Sequence, residues 1–393
     1  MDTCLNIGVI MLLLLLPSTV NAQYSVIDVT KYGAKSNGDL SQALTKAWDD
    51  ACAAGKPTRV FVPKATYYLG ALTLKGPCKG PVELQVQGTI KAPADPRKLK
   101  DTWFVIQSVD RFILSGSGTF DGQGNLAWKQ NNCKKTSNCG LFATSLRFNY
   151  VTNSQIRDIT SLNSKSFHMF LFGCKNVQIQ QVTITAPGNS LNTDGIHIGR
   201  SSGINIAGAN IGTGDDCVSI GDGTQDTTIT KVNCGPGHGI SIGSLGKYPN
   251  EQPVRGIKVI GCTISNAMNG VRIKTWPASP SPNTADNLYF ENIAINNVDN
   301  PIIIDQVYCP LGTNCKAQLP SKVKISNVIF KNIRGSSTLP VAVKLSCSKS
   351  MPCQNVHLEN INLSYKGSGK AKSMCQNVKP SFSGTQNPPA CRA

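Results

Sequence analysis

Histidine is rare in this chain, with four in 393 residues, and no two of its 15 cysteines are spaced as Cys-x2-Cys. That excludes the usual cysteine and histidine zinc modules, and no metal is expected. Aromatic residues make up only 6%. No basic run or basic helical arm is interleaved with them, so the usual footprints of a nucleic-acid binder are missing. After residue 22 no apolar stretch approaches the ~20 residues that a spanning helix needs, which excludes a helical membrane anchor there. Acidic residues are also scarce, with 22 Asp and Glu against 39 Lys and Arg. Helical periodicity is confined to one segment.

The one long apolar run lies at the start. Residues 7–16 form an apolar core, and Val20-Asn21-Ala22 supplies small residues ahead of Gln23. The core is too short to span a bilayer, so residues 1–22 read as a secretory signal, although Asp2 stands where a basic residue is usual. Export permits disulfides, and 14 cysteines, an even number, follow Cys4. Cys133/Cys139, Cys309/Cys315, Cys347/Cys353 and Cys375/Cys391 are close enough to staple loops. Cys217/Cys234 suits a bridge between adjacent coils, and Cys52/Cys78 a sixth pair. Cys174 and Cys262, each opening a strand-like run, are left as buried thiols. Asn362-Leu363-Ser364 is a glycosylation sequon. Losing Asp2 with the signal raises the formal charge from +17 to +18. Such a balance serves solubility in any case; in an exported, monomeric protein it also suits an acidic polysaccharide as partner.

Residues 41–54 carry apolar positions at helical spacing: Ala43, Leu44, Ala47, Trp48 and Ala51. Asp39 or Ser41 can cap them, and Gly55 and Pro57 end the run. From Arg59 onward the chain is short β runs broken by Gly and Asn, residues that tolerate left-handed backbone. No linker or low-complexity segment divides residues 23–393, which read as one domain. Residues 125–139 and 278–283 read as surface loops. The β runs keep a period. Asp194 to Asp216 and Asp216 to His238 are each 22 residues; His238 to Asn269 and Asn269 to Asn300 are each 31. A second apolar series repeats at 27 (Ile184 to Ile211), 31 (Ile264 to Ile295) and 33 (Phe330 to Leu363). Units of this length with several short strands and no helix predict an all-β solenoid, a parallel β-helix capped by the N-terminal helix.

Polar clusters recur at one phase of the repeat: Asn192-Thr193-Asp194, Gly214-Asp215-Asp216, Gly237-His238-Gly239 and Arg272-Ile273-Lys274. Residues at one phase of adjacent parallel strands lie ~4.8 Å apart, so Asp194, Asp216 and His238 are expected in one column. Asp215 then stands beside Thr193. Taken singly, each has an ordinary explanation: a turn Asp, a structural His, a solvated basic face. Together, three carboxylates repel one another, and at least one should hold a proton more tightly than free aspartate. One protonated acid and one ionised base are what acid–base hydrolysis requires. Arg272 and Lys274, two apart on a strand, point the same way and suit an anionic ligand.

These four clusters, in this order, resemble those of the polygalacturonases, the glycoside hydrolases that cleave pectin, and the resemblance spans essentially all of residues 23–393. It implies a right-handed parallel β-helix and inverting hydrolysis of α-1,4-linked galacturonic acid without a cofactor. It further implies Asp215 as general acid, Asp194 and Asp216 as the groups that hold and activate water, and His238 as the residue that tunes the acid. Arg272 and Lys274 would bind the sugar carboxylate, with Asn192 and Tyr308 also lining the site, and an acidic pH optimum follows. Residues 237–247, 121–124 and 272–277 look like plant members, above all the exo-acting pollen group, some of which are allergens; Leu191 departs from a proline common there. Exo action needs loops that close one end of the cleft, for which residues 125–139 and 278–283 are the candidates. The alternatives are an endo-acting enzyme, a pectate lyase and a non-catalytic pectin-binding β-helix.

Overall fold

The computed structural model describes residues 24–133, 142–310, 313, 315–316 and 318–391. The proposed signal and Cys139 lie outside them. From Ser25 to Asn387 the chain winds as a right-handed parallel β-helix, the hand that twisted strands impose on parallel crossovers. Its coils form a 21-stranded sheet and an 11-stranded sheet. On the 11-stranded sheet Ile196 pairs with Val218, Val218 with Ile240, Ile240 with Val271 and Val271 with Ile302. Those offsets are the 22, 22, 31 and 31 of the sequence.

The pairing stacks like on like. Ile198, Ile220, Ile242, Ile273 and Ile304 form a column inside the coil, each with 0% exposure. Burying such a column stabilises each coil only against its neighbours, so the array must be closed at its end. The helix Ser41–Ala53 does this, turning Ala43, Leu44, Ala47, Trp48 and Ala51 inward. Asp39 Oδ1 accepts the Ser41 N–H at 2.6 Å, Trp48 meets Phe112 edge-on at 5.8 Å, and Cys52 is bonded to Cys78. Within strands of the larger sheet Asn153, Asn176, Asn327 and Asn355 adopt left-handed backbone. Their amides stack between coils, Asn176 on Asn153 at 2.8 Å and Asn355 on Asn327 at 2.7 Å.

Three expectations are corrected. Residues 125–139 are not all loop, because Asn125–Gln130 is helical, with Trp128 Nε1 bonded to Ser164 O at 3.0 Å. Phe330 pairs with Leu358, 28 residues on; Leu363 lies opposite Gly335. Gly335 has φ +138°, and a Cβ there would lie 1.7 Å from Ile295 O. The apolar column therefore skips that residue, and a count of apolar endings slides past it. Cys217–Cys234 does not join adjacent coils, since both residues belong to the coil that runs from Val218–Ile220 to Asn233–Cys234. Cys309–Cys315, Cys347–Cys353 and Cys375–Cys391 are also bonded, and Cys174 and Cys262 are buried thiols. Asn362 is exposed, but it lies within the strand Gln354–Tyr365, where its Oδ1 accepts from Asn387 at 3.3 Å.

Candidate active site

The first three clusters sit where the chain enters the strands Ile196–Gly199, Val218–Ile220 and Ile240–Leu245 of the 11-stranded sheet, and Arg272 and Lys274 lie within the next strand, Asn269–Thr275. The entry turns are tight. A Cβ on Gly214 would lie 2.0 Å from Ser190 O, and one on Gly239 2.1 Å from Asn269 O, so only glycine allows the coils to close up there. Gly214 N–H also donates to Thr193 Oγ1 at 3.0 Å, which places Asp215 beside Thr193.

The three carboxylates differ in surroundings. Asp216 is fully buried; its Oδ1 accepts from Ser241 Oγ at 2.8 Å and Arg272 Nη2 at 2.7 Å, and its Oδ2 from Lys274 Nζ at 2.6 Å. Asp194 is also buried, and its Oδ2 accepts from Ser219 Oγ at 2.7 Å. Asp215 lies nearer the surface. Its Oδ1 is 3.0 Å from His238 Nδ1 and accepts the Asp216 N–H at 2.8 Å. His238 therefore serves Asp215. The backbone offsets put it in register with Asp216, but Asp216 is wholly engaged by the two cations and Ser241.

The electrostatics follow from these contacts. Burial, followed by the charges of Asp215 and Asp216, raises Asp194 well above the ordinary aspartate range. Burial acts on Asp216 in the same sense, but Lys274, Arg272 and His238 outweigh it and hold that carboxyl at about 2. Asp216 therefore stays ionised, and a proton in the cluster is most readily kept among the other groups. Burial, then Lys274, lowers His197 to about 4, so its imidazole is neutral near pH 7. His197 Nδ1 lies 2.7 Å from the hydroxyl that Ser219 donates to Asp194.

Arg272 and Lys274, expected to clamp an anionic ligand, are 7% and 6% exposed and both pair with Asp216, with Tyr308 over both: its ring centre lies 5.7 Å from the guanidinium and 5.1 Å from the ammonium. Asn192, at left-handed φ, accepts from Asn131 Nδ2 at 3.1 Å, which ties the segment after the Asn125–Gln130 helix to the site. Sequence reasoning passed over His197, Ser219 and Ser241. Their signal was present: with Arg272 they occupy one outward position of the repeat, in Gly-Ile-His-Ile, Cys-Val-Ser-Ile, Gly-Ile-Ser-Ile and Gly-Val-Arg-Ile. Asp215, Asp216 and His238 offer ligand atoms within 4.8 Å of one another, but both Asp216 oxygens already take charged donors, a poor setting for a cation.

A parallel β-helix with three carboxylates clustered on its outward face fits a class, the β-helical glycoside hydrolases. Residues 52–388 match the Glycosyl hydrolases family 28, and the chain belongs to that family. It is 55% identical to an exopolygalacturonase of Platanus acerifolia, over 94% of this chain and 98% of that protein. It is 49% identical to a polygalacturonase of Nicotiana tabacum, over 100% of this chain and 98% of the other. Among solved structures, an endo-xylogalacturonan hydrolase from Aspergillus tubingensis superposes with a TM-score of 0.79 at 25% identity, over 92% of this chain and 100% of that one.

Proposed function

We propose that this glycoside hydrolase is a secreted, monomeric exopolygalacturonase, removing galacturonic acid from the end of pectic polygalacturonate by inverting acid–base catalysis. The observation that carries the reading is the division of the three carboxylates: Asp216 ionised by its cation pair, Asp194 inclined to hold a proton, Asp215 accessible against His238. The Asp215 charge is one cause of the raised Asp194. When Asp215 takes the proton, Asp194 is therefore freer to ionise. Asp215 can then protonate the leaving glycosidic oxygen while Asp194, with the ionised Asp216 beside it to help hold the water, draws a proton from that water on the other face of the sugar. His238 orients Asp215, and the buried Arg272 and Lys274 keep Asp216 charged.

Exo action is supported by the two ends of the cleft. Toward the N-terminus, the Asn125–Gln130 helix and the Asn131–Asn192 bond stand beside the catalytic coil. Toward the C-terminus lie Lys247, Lys344 and Lys349, the last beside a hollow of about 470 Å³, and a polyanion can extend over them. Secretion is supported by the N-terminal signal pattern and five disulfides among the described residues. The same setting makes the exposed Asn362 a glycosylation site.

Digestion of polygalacturonate followed by chromatography tests the proposal. Monogalacturonate should be the only early product, with slow loss of viscosity. Oligomers and a fast viscosity drop would establish endo action instead. Asp215→Asn should abolish hydrolysis and retain substrate binding, whereas unsaturated products would point to a lyase.

A further inference from the structure

The outward face of the 11-stranded sheet on the N-terminal side of the catalytic coil is aromatic. Outward positions of the 11-stranded sheet run Arg147, Phe170, His197 in register, followed by Ser219. Phe167, from the turn before Met169–Phe172, joins them, 5.1 Å from His197 and 6.1 Å from Phe170 between ring centres. Phe170 meets His197 edge-on at 4.7 Å and Phe172 at 6.2 Å. All four rings are half-buried, on a sheet face where polar side chains are the rule. Arg147 lies over Phe170, its guanidinium 4.8 Å from the ring centre.

Arg147 is a half-buried cation without an anion. Its Nε donates to Asn149 Oδ1 at 2.9 Å, and no carboxylate of the described residues lies within 4.0 Å of it. The buried cations three coils beyond His197, by contrast, each pair with Asp216. Three coils, roughly 14 Å between backbones, separate Arg147 from the strand that Asp215 leads into, but its guanidinium lies over Phe170, one coil nearer, and so points toward a sugar whose linkage lies at Asp215. Resting on the exopolygalacturonase reading, we propose that Phe167 and Phe170 stack the apolar face of the terminal galacturonosyl residue and that Arg147 binds its free carboxylate. The site thereby selects an unesterified chain end. A guanidinium presents paired donors to a carboxylate, whereas a methyl ester offers it no charge.

The test compares trigalacturonate with the same trimer methyl-esterified on the sugar that is released. Wild-type enzyme should prefer the free acid. Arg147→Gln should lower kcat/KM for the free acid by about tenfold or more, in line with losing a hydrogen bond to a charged group, and should change the ester much less. Arg147→Lys should recover part of the preference. Equal losses on both trimers, or an unchanged preference, would overturn the proposal, since a merely structural role cannot tell the substrates apart. If Arg147→Gln does not fold, Phe170→Leu keeps the apolar volume but removes the ring under the guanidinium; an unchanged preference there would also overturn it. Should wild-type enzyme cleave neither trimer, the polygalacturonase reading fails separately. Calorimetry with monogalacturonate and its methyl ester then decides the Arg147 site, because equal binding of the two would sink it.

Discussion

At the scale of single residues, the site separates three aspartates that look alike in sequence. Asp194 binds its proton more tightly folded than unfolded, where its ordinary value is 3.8. Its contribution to stability is thus present below that value and is lost as pH rises through the raised folded one. Asp194→Asn removes this penalty. The variant should unfold at a higher temperature than the parent near neutral pH, and the gain should vanish in acid. A gain that is the same at every pH would show that desolvation of the charge is not its source. Asp216 is the opposite case. Asp216→Asn leaves Arg272 and Lys274 buried without their anion and should cost about 3–5 kcal/mol in urea unfolding, as broken buried pairs do.

At the scale of elements, each coil contributes one strand per sheet and one entry turn. Phe290 and Phe330 stack at 5.0 Å in coils beyond the catalytic ones. Both have 0% exposure. Phe330→Ala should destabilise the protein by ~3–5 kcal/mol, yet leave KM for polygalacturonate nearly unchanged, because repeat units couple mainly to their neighbours. Kinetics and thermal unfolding on one preparation would check both parts. The coil intervals were legible as integers, since a repeated strand register is a repeated spacing in sequence. The short helix Asn125–Gln130 was not legible: its single turn and a half carries too few positions for a period, and Trp128 holds it through a contact 36 residues away.

At the scale of the whole molecule, 39 basic residues outnumber 22 acidic ones, a balance that suits the proposed polyanionic substrate. KM for polygalacturonate should rise with added salt while kcat changes little, since exposed charges are screened and the buried Asp216 cluster is not. A KM indifferent to ionic strength would remove the electrostatic part of the proposed recognition.

The sequence by itself determined the β-helix, its register through the catalytic coils and the set of polar side chains that face one cleft. These depend on periodicity and residue type, which are local properties of the chain. Only the tertiary structure decided how those side chains divide their charges. It set His238 against Asp215, turned Arg272 and Lys274 onto Asp216, joined Cys217 to Cys234 within one coil and left Arg147 without an anion. Side-chain pairing is settled by burial and by distances of a few ångströms between coils, and spacing along the chain does not encode them.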